Sequence, residues 1–280
     1  MRTGQATGVQ IAFLLFAVLL LSVPLSRALI QVTGASSEWR PLIERMTQFV
    51  VGGLLIAAIP GLRRTAAREL SRPIPRAMRL EVFIVGLAKI PLAFAMIGVI
   101  ALWLWASEGP PGLDRFRSDP GLAYANSVSA QGLVRNLVLA TVLAPLVEEL
   151  VCRCFLYRAL DRRHGWLVAM LGSSLVFGLL HPHFAAAFVS GIVFACLYRR
   201  TGSLWAPIAV HSVFNFMLWW PMLGQHLIPW SNPGDLRAWT LHLACLAFAS
   251  IAIPAYLWMC RDRNVTASTS LLDADGAVQK

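Results

Sequence analysis

The sequence predicts an all-α, polytopic membrane bundle of about eight transmembrane helices with both termini cytoplasmic. Three observations predict it. The chain of 280 residues is 57% hydrophobic and only 14% charged, with a mean hydropathy of +0.64, which is more apolar than a soluble domain of this size carries. Apolar runs near the length of a bilayer-crossing helix recur from end to end. The short alternating segments of a membrane barrel are not seen, so helices, which satisfy their own backbone, are the expected solution.

Taken in order, the expected spans are Val9 to Ile30, Met46 to Leu62, Val82 to Trp105, Gly132 to Leu160, Trp166 to His181, Phe184 to Tyr198, Leu204 to Leu223 and Ala238 to Cys260. The first follows Arg2 and resembles a secretory leader. It is too long for one and lacks a small-residue cleavage site, so it reads as a retained span. The second runs into Arg63, Arg64, Arg68, Arg72, Arg76 and Arg79. The third ends before Gly109-Pro110-Pro111-Gly112, a natural break within a loop from Ser107 to Gln131. The fourth is followed by Arg158, Arg162 and Arg163, the sixth by Arg199 and Arg200, and the eighth by Arg261 and Arg263. With eight spans all four arginine-bearing segments share one side, which the positive-inside rule makes cytoplasmic. Most tryptophans fall near span ends, as interfacial anchors do.

The formal net charge of +10 comes from 24 Lys+Arg against 14 Asp+Glu. In a soluble chain this would suggest nucleic acid. Here the arginines sit in loops between spans, so they set orientation and meet phospholipid, and no nucleic-acid partner is expected. The five cysteines, Cys152, Cys154, Cys196, Cys245 and Cys260, lie in or beside apolar spans and form no Cys-x-x-Cys pair. They read as buried apolar thiols.

The chemistry-bearing residues lie in the back half. Glu148, Glu149 and Arg153 sit inside an apolar run, where a charge at mid-bilayer costs about 2.5–3.5 kcal/mol on insertion scales. Glu149 and Arg153 are spaced i,i+4 with the acid first, the favourable order for a helical pair. Glu148 is rotated about 100° from Glu149 and cannot share that partner. Pro145 lacks an N–H, so in a regular α-helix the Thr141 carbonyl would lose its partner and the helix would bend or widen. Phe177 and His181 share one face at the end of the fifth span, where Pro182 is expected to stop the helix. His211 and Asn215 share a face of the seventh. His183 reads as a loop or interface residue, and His164, His226 and His242 fall outside these patterns. A lone intramembrane His or Asn often does no more than bond a neighbouring helix. Four polar positions on helices able to converge weaken that plain reading. Depth is a difficulty. At about 1.5 Å per residue, linear spans put His181 toward the opposite end of its helix from Glu148, unless the fifth span is short or tilted.

Glu148-Glu149-Leu-Val-Cys-Arg153, then Phe177 to His181, then His211 to Asn215 resembles the CAAX prenyl protease and Abi family of intramembrane (CPBP) endopeptidases. The resemblance covers Leu133 to Leu223 and departs in one place, with Cys154 where a small glycine is usual. It implies an eight-helix intramembrane endopeptidase with its site in a membrane-embedded cavity. In it Glu148 is the catalytic carboxylate and His181, His211 and Asn215 surround it, with Glu149 and Arg153 supporting. The residues suit such chemistry: a carboxylate withdrawn from water is a better general base, and imidazole and amide groups can donate to an oxyanion. On this reading no cofactor is needed. A zinc endopeptidase using Glu148, His181 and His211 is the alternative, since two His and a carboxylate make a reasonable catalytic zinc set. A non-catalytic scaffold, immunity factor or transporter with a polar relay is a third possibility.

The expected organisation is an anchoring part, residues 1–106, a catalytic core, residues 132–260, and a disordered cytoplasmic tail, residues 261–280. The expected setting is the cell membrane, crossed several times; in a Gram-negative bacterium that is the inner membrane. The expected partners are the lipid bilayer and a membrane-associated protein or peptide, lipidated or not.

Overall fold

The computed structural model describes residues 7–35, 39–117, 137–181, 183–219 and 236–261. Among these residues every regular element is helical and none is a strand. The first helix, α1 (Gly8–Thr33), opens on a reciprocal cap. The Gln10 amide donates to Thr7 Oγ1 at 3.2 Å and the Thr7 amide to Gln10 Oε1 at 3.0 Å, which satisfies two of the N–H groups a helix start leaves bare.

The helix α2 (Arg40–Ala58) stops at Ile59, whose backbone is extended, and α3 (Pro60–Leu70) begins at the next residue. Proline drives the residue before it out of the helical region and fits well at the first helical position. The two axes meet at 104°. The arginine segment expected as a loop after Leu62 is therefore partly a helix. Leu62, Ala66 and Glu69 are buried on one face of α3, and Arg63, Arg64 and Arg68 are exposed on the other.

A 3₁₀ turn (Arg76–Met78) leads into α4 (Arg79–Glu108), which ends at Gly109 with φ 68°. A side chain there would be strained, so glycine is the residue that allows the stop. Then comes the short α5 (Pro110–Arg117) inside the expected Ser107–Gln131 loop, whose later residues lie outside the described set.

The motif-bearing helix α6 spans 137–164 and is wider than an α-helix at two places, Leu139–Leu143 and Leu150–Tyr157, where the turns are π-helical. Glycines at positive φ divide the rest: Gly165 (82°) separates α6 from α7 (Trp166–Leu179), and Gly202 (62°) closes α8 (Phe184–Thr201). The bundle finishes with α9 (Trp205–Trp219) and α10 (Leu236–Arg261).

Eight helical stretches thus answer to the expected spans. Four of them are long and apolar enough on their own to cross a membrane, and a fifth crossing follows if the bent α2–α3 pair counts as one. Residues 1–6 and 262–280, with both termini and nearly all of the expected tail, lie outside the described residues, as does Pro182.

The helices pack α7 on α8, α10 on α4, and α9 across both α4 and the first wide turn of α6. One apolar cluster joins α1, α3, α6, α7, α8, α9 and α10 around Leu14, Leu62, Phe155 and Met170. A second joins α4, α6, α7, α8, α9 and α10 around Phe177, Phe194 and Val210. Where lipid replaces water, close backbone approach matters more than apolar burial. Gly191 of α8 meets this need: a Cβ there would lie 3.0 Å from the Ser174 Cα on α7. Phe16, Phe83, Trp103, Ile251 and Trp258 remain exposed on the outer faces of α1, α4 and α10. Exposed bulk of that kind belongs against lipid.

Candidate active site

The second cluster encloses the polar motif. Glu149 and Arg153 are both fully buried and pair across one turn, Arg153 Nε lying 3.1 Å from Glu149 Oε2. Arg153 Nη2 donates to the Gly191 carbonyl at 2.8 Å. Its guanidinium carbon lies 4.9 Å from the Phe177 ring centre and 5.6 Å from that of Phe194. A buried guanidinium needs this much company, since removing water from it is expensive. Glu149 has a further partner that spacing could not show: its Oε1 accepts from His211 Nδ1 at 3.0 Å.

Glu148 points elsewhere, as its rotation from Glu149 requires. Its Oε2 is buried and without a hydrogen bond. It lies 3.6 Å from His181 Nε2 and 3.8 Å from His211 Nε2. The depth difficulty does not arise here: α7 stops at Leu179, and the chain turns so that His181 comes level with Glu148. His181 also closes its own helix, with Nδ1 2.7 Å from the Phe177 carbonyl four residues back. Carbonyls in a last turn lack helical donors, and a histidine there can supply one.

These contacts fix the tautomers. A carbonyl and a carboxylate accept only, so each Nδ1 carries the proton in a neutral ring. Each Nε2 then presents a lone pair toward Glu148 Oε2, itself an acceptor when ionised. Three acceptors converge, so the site calls for a proton donor between them. The two Nε2 atoms can donate to an oxyanion only as imidazolium, a refinement of the expected role.

The rings are clamped by aromatics. Phe177 lies 4.5 Å from the His181 ring and 5.6 Å from His211, centre to centre. Phe194 stacks on His211 at 4.7 Å and 21°. Phe194 gave no sequence signal, being one apolar residue in an apolar run. Lys89 of α4 did give one, as a lone intramembrane charge with no partner at helical spacing. It is 2% exposed and donates to Ser190 Oγ at 2.6 Å.

Asn215 is engaged with backbone. The Ala144 amide reaches five residues back to the Leu139 carbonyl. The next amide on that wider ladder would belong to Pro145, which has none. The carbonyl left over is Ala140's, and Asn215 Nδ2 donates to it at 2.8 Å. Pro145 offers no N–H to the Thr141 carbonyl either, as expected; the wider register adds Ala140 to it. Of the polar groups that spacing left aside, His242 Nδ1 lies 2.8 Å from the Phe94 carbonyl, His226 lies outside the described residues, and all five cysteines are buried without a disulfide. Among the described residues no group of three or more His, Cys, Asp or Glu side chains is arranged to hold a metal ion.

Residues 130–217 match the family described as Type II CAAX prenyl endopeptidase Rce1-like. Over 88 residues the chain is 32% identical to "Putative membrane peptidase YdiL" of Bacillus subtilis (strain 168), a match covering 30% of this chain and 36% of that protein. No solved structure matches.

Proposed function

Starting from the match of residues 130–217 to the Rce1-like CAAX prenyl endopeptidase family, we propose that this chain is an intramembrane endopeptidase working by glutamate-activated water. The observation that carries the reading is the meeting of Glu148 Oε2 with two imidazole Nε2 atoms at 3.6 and 3.8 Å, brought together from α6, the turn after α7, and α9. One water placed among them donates to Glu148 and to an imidazole. As its oxygen attacks the scissile carbonyl, Glu148 takes a proton and later returns it to the departing amine. The other imidazole, protonated, donates to the oxyanion. His211 is the better placed for that charge, because Glu149 sits on its Nδ1. Asn215 enters as a strap on the broken turn of α6, and the second N–H of its amide is the one that would serve an oxyanion.

The site is proposed to open within the bilayer of a cell membrane crossed eight times, with both termini cytoplasmic and a core of residues 132–260 behind an anchoring part, residues 1–106. The substrate is a membrane-associated protein or peptide, cut near a C-terminus that can carry lipid.

Zinc on Glu148, His181 and His211 is the second reading: the three are not arranged as a metal set here, but metal-bound histidines also tie their other nitrogen to a carboxylate or carbonyl. Purified protein and a peptide library separate the readings. Wild type is expected to cleave, Glu148→Ala to lose cleavage, and a chelator to change nothing. Cleavage surviving in Glu148→Ala removes the base. Loss to chelator with recovery on adding zinc selects the metal. A folded wild type inert on every peptide moves the reading to a scaffold.

A further inference from the structure

We infer that Lys89, from outside the family segment, is a positioning residue of this site, holding through Ser190 and Phe194 the wall on which His211 stacks. The inference rests on the endopeptidase reading above. Lys89 Nζ donates to Ser190 Oγ at 2.6 Å and lies 5.0 Å from the centre of the Phe194 ring and 4.1 Å from that of Phe214. Ser190 directly precedes Gly191, whose carbonyl takes the Arg153 guanidinium at 2.8 Å. Phe214 directly precedes Asn215. Two cations therefore grip one short stretch of α8, Lys89 by a side chain and Arg153 by the backbone, and both lie near the ring that stacks on His211 at 4.7 Å.

A plain packing role does not call for an ammonium. At 2% exposure a methionine would fill the same space without the desolvation an ammonium brings. Ring faces attract a cation, Arg or Lys, within about 6 Å of the centroid, so the ammonium fixes Phe194 and Phe214 more firmly than an apolar chain.

The test uses the full chain in lipid nanodiscs and a peptide that wild type cleaves and Glu148→Gln does not. Misplacing a reacting group by about 1 Å can lower turnover by about 100-fold. Lys89→Met is expected to lower kcat by about 10- to 100-fold with KM within about twofold. Lys89→Arg, which keeps the charge, is expected to recover most of the loss. Ser190→Ala, which keeps the lysine and removes its oxygen, is expected to lower kcat in the same sense, and it carries the test if Lys89→Met does not fold. A folded Lys89→Met with wild-type kcat overturns the inference, as does unchanged turnover in Ser190→Ala. Cleavage by Glu148→Gln is a separate result that overturns the endopeptidase reading itself.

Discussion

Glu148 and Glu149 are neighbours in sequence with opposite fates in the fold. Glu149 is fully buried and shared between Arg153 and His211. Glu148 holds a buried oxygen without a hydrogen bond. Breaking a buried ion pair from one side strands the other charge, at about 3–5 kcal/mol. Arg153→Met is therefore expected to destabilise the protein by about that much, read as a lower thermal unfolding midpoint or loss of folded yield. A midpoint equal to wild type would mean that Glu149 does not depend on this arginine. The Glu149–Arg153 pairing was legible because both residues lie on one helix at i,i+4. The Glu149–His211 bond was not, because periodicity along one helix carries no information about which face of another it meets. Lys89 was legible as a costly intramembrane charge and lacked only a partner in sequence to mark it. Phe194 was not legible at all.

At the scale of the element, α6 shows how a single missing N–H is absorbed. The sequence pointed to a disturbed helix before Glu148. The width of the turn could not be read, and it is the π-helical register, with the Ala144 amide on Leu139, that leaves the Ala140 carbonyl over. Asn215 then takes a place that helix periodicity alone could not assign. Leaving a buried carbonyl unsatisfied costs about 1–3 kcal/mol, so Asn215→Ala is expected to lose about that in stability. Pro145→Ala restores the amide. The double variant is expected to be more stable than the two single effects predict, by about 1 kcal/mol in a double-mutant cycle. Strict additivity would show that the strap and the proline are unrelated. The α2–α3 bend was more legible than it was read. Ile59-Pro60 is a helix stop followed by a helix start.

Across the whole molecule, the front helices do more than anchor. Glu69 of α3 is fully buried; Arg158 of α6 and Arg72 both pair with it, the latter at 2.9 Å, and Tyr198 of α8 donates to it at 2.7 Å. On α4, Glu81 pairs with Arg200 of α8 and accepts from Tyr256 of α10 at 3.1 Å. Both networks lie among the arginines of the expected cytoplasmic side, so residues first read as topology signals also tie the halves together. A hydrogen bond to a charged group contributes about 1.5–3 kcal/mol. Tyr198→Phe is expected to lose stability in that range, and a wild-type unfolding midpoint would count against the network. All-helical architecture was legible because composition and periodicity are properties of each segment. Contacts between α3, α4 and the back half were not, because they depend on helix order in space, which hydropathy does not encode.

The most direct measurement compares wild type with Glu148→Gln in nanodiscs, following cleavage and thermal unfolding on the same preparations. Removing a general base lowers turnover by about 10²–10⁴-fold. The predicted result is a loss in that range with the protein folded and an unfolding midpoint close to wild type, because glutamine keeps the size and shape of the side chain. Wild-type cleavage by a folded Glu148→Gln protein would contradict the account.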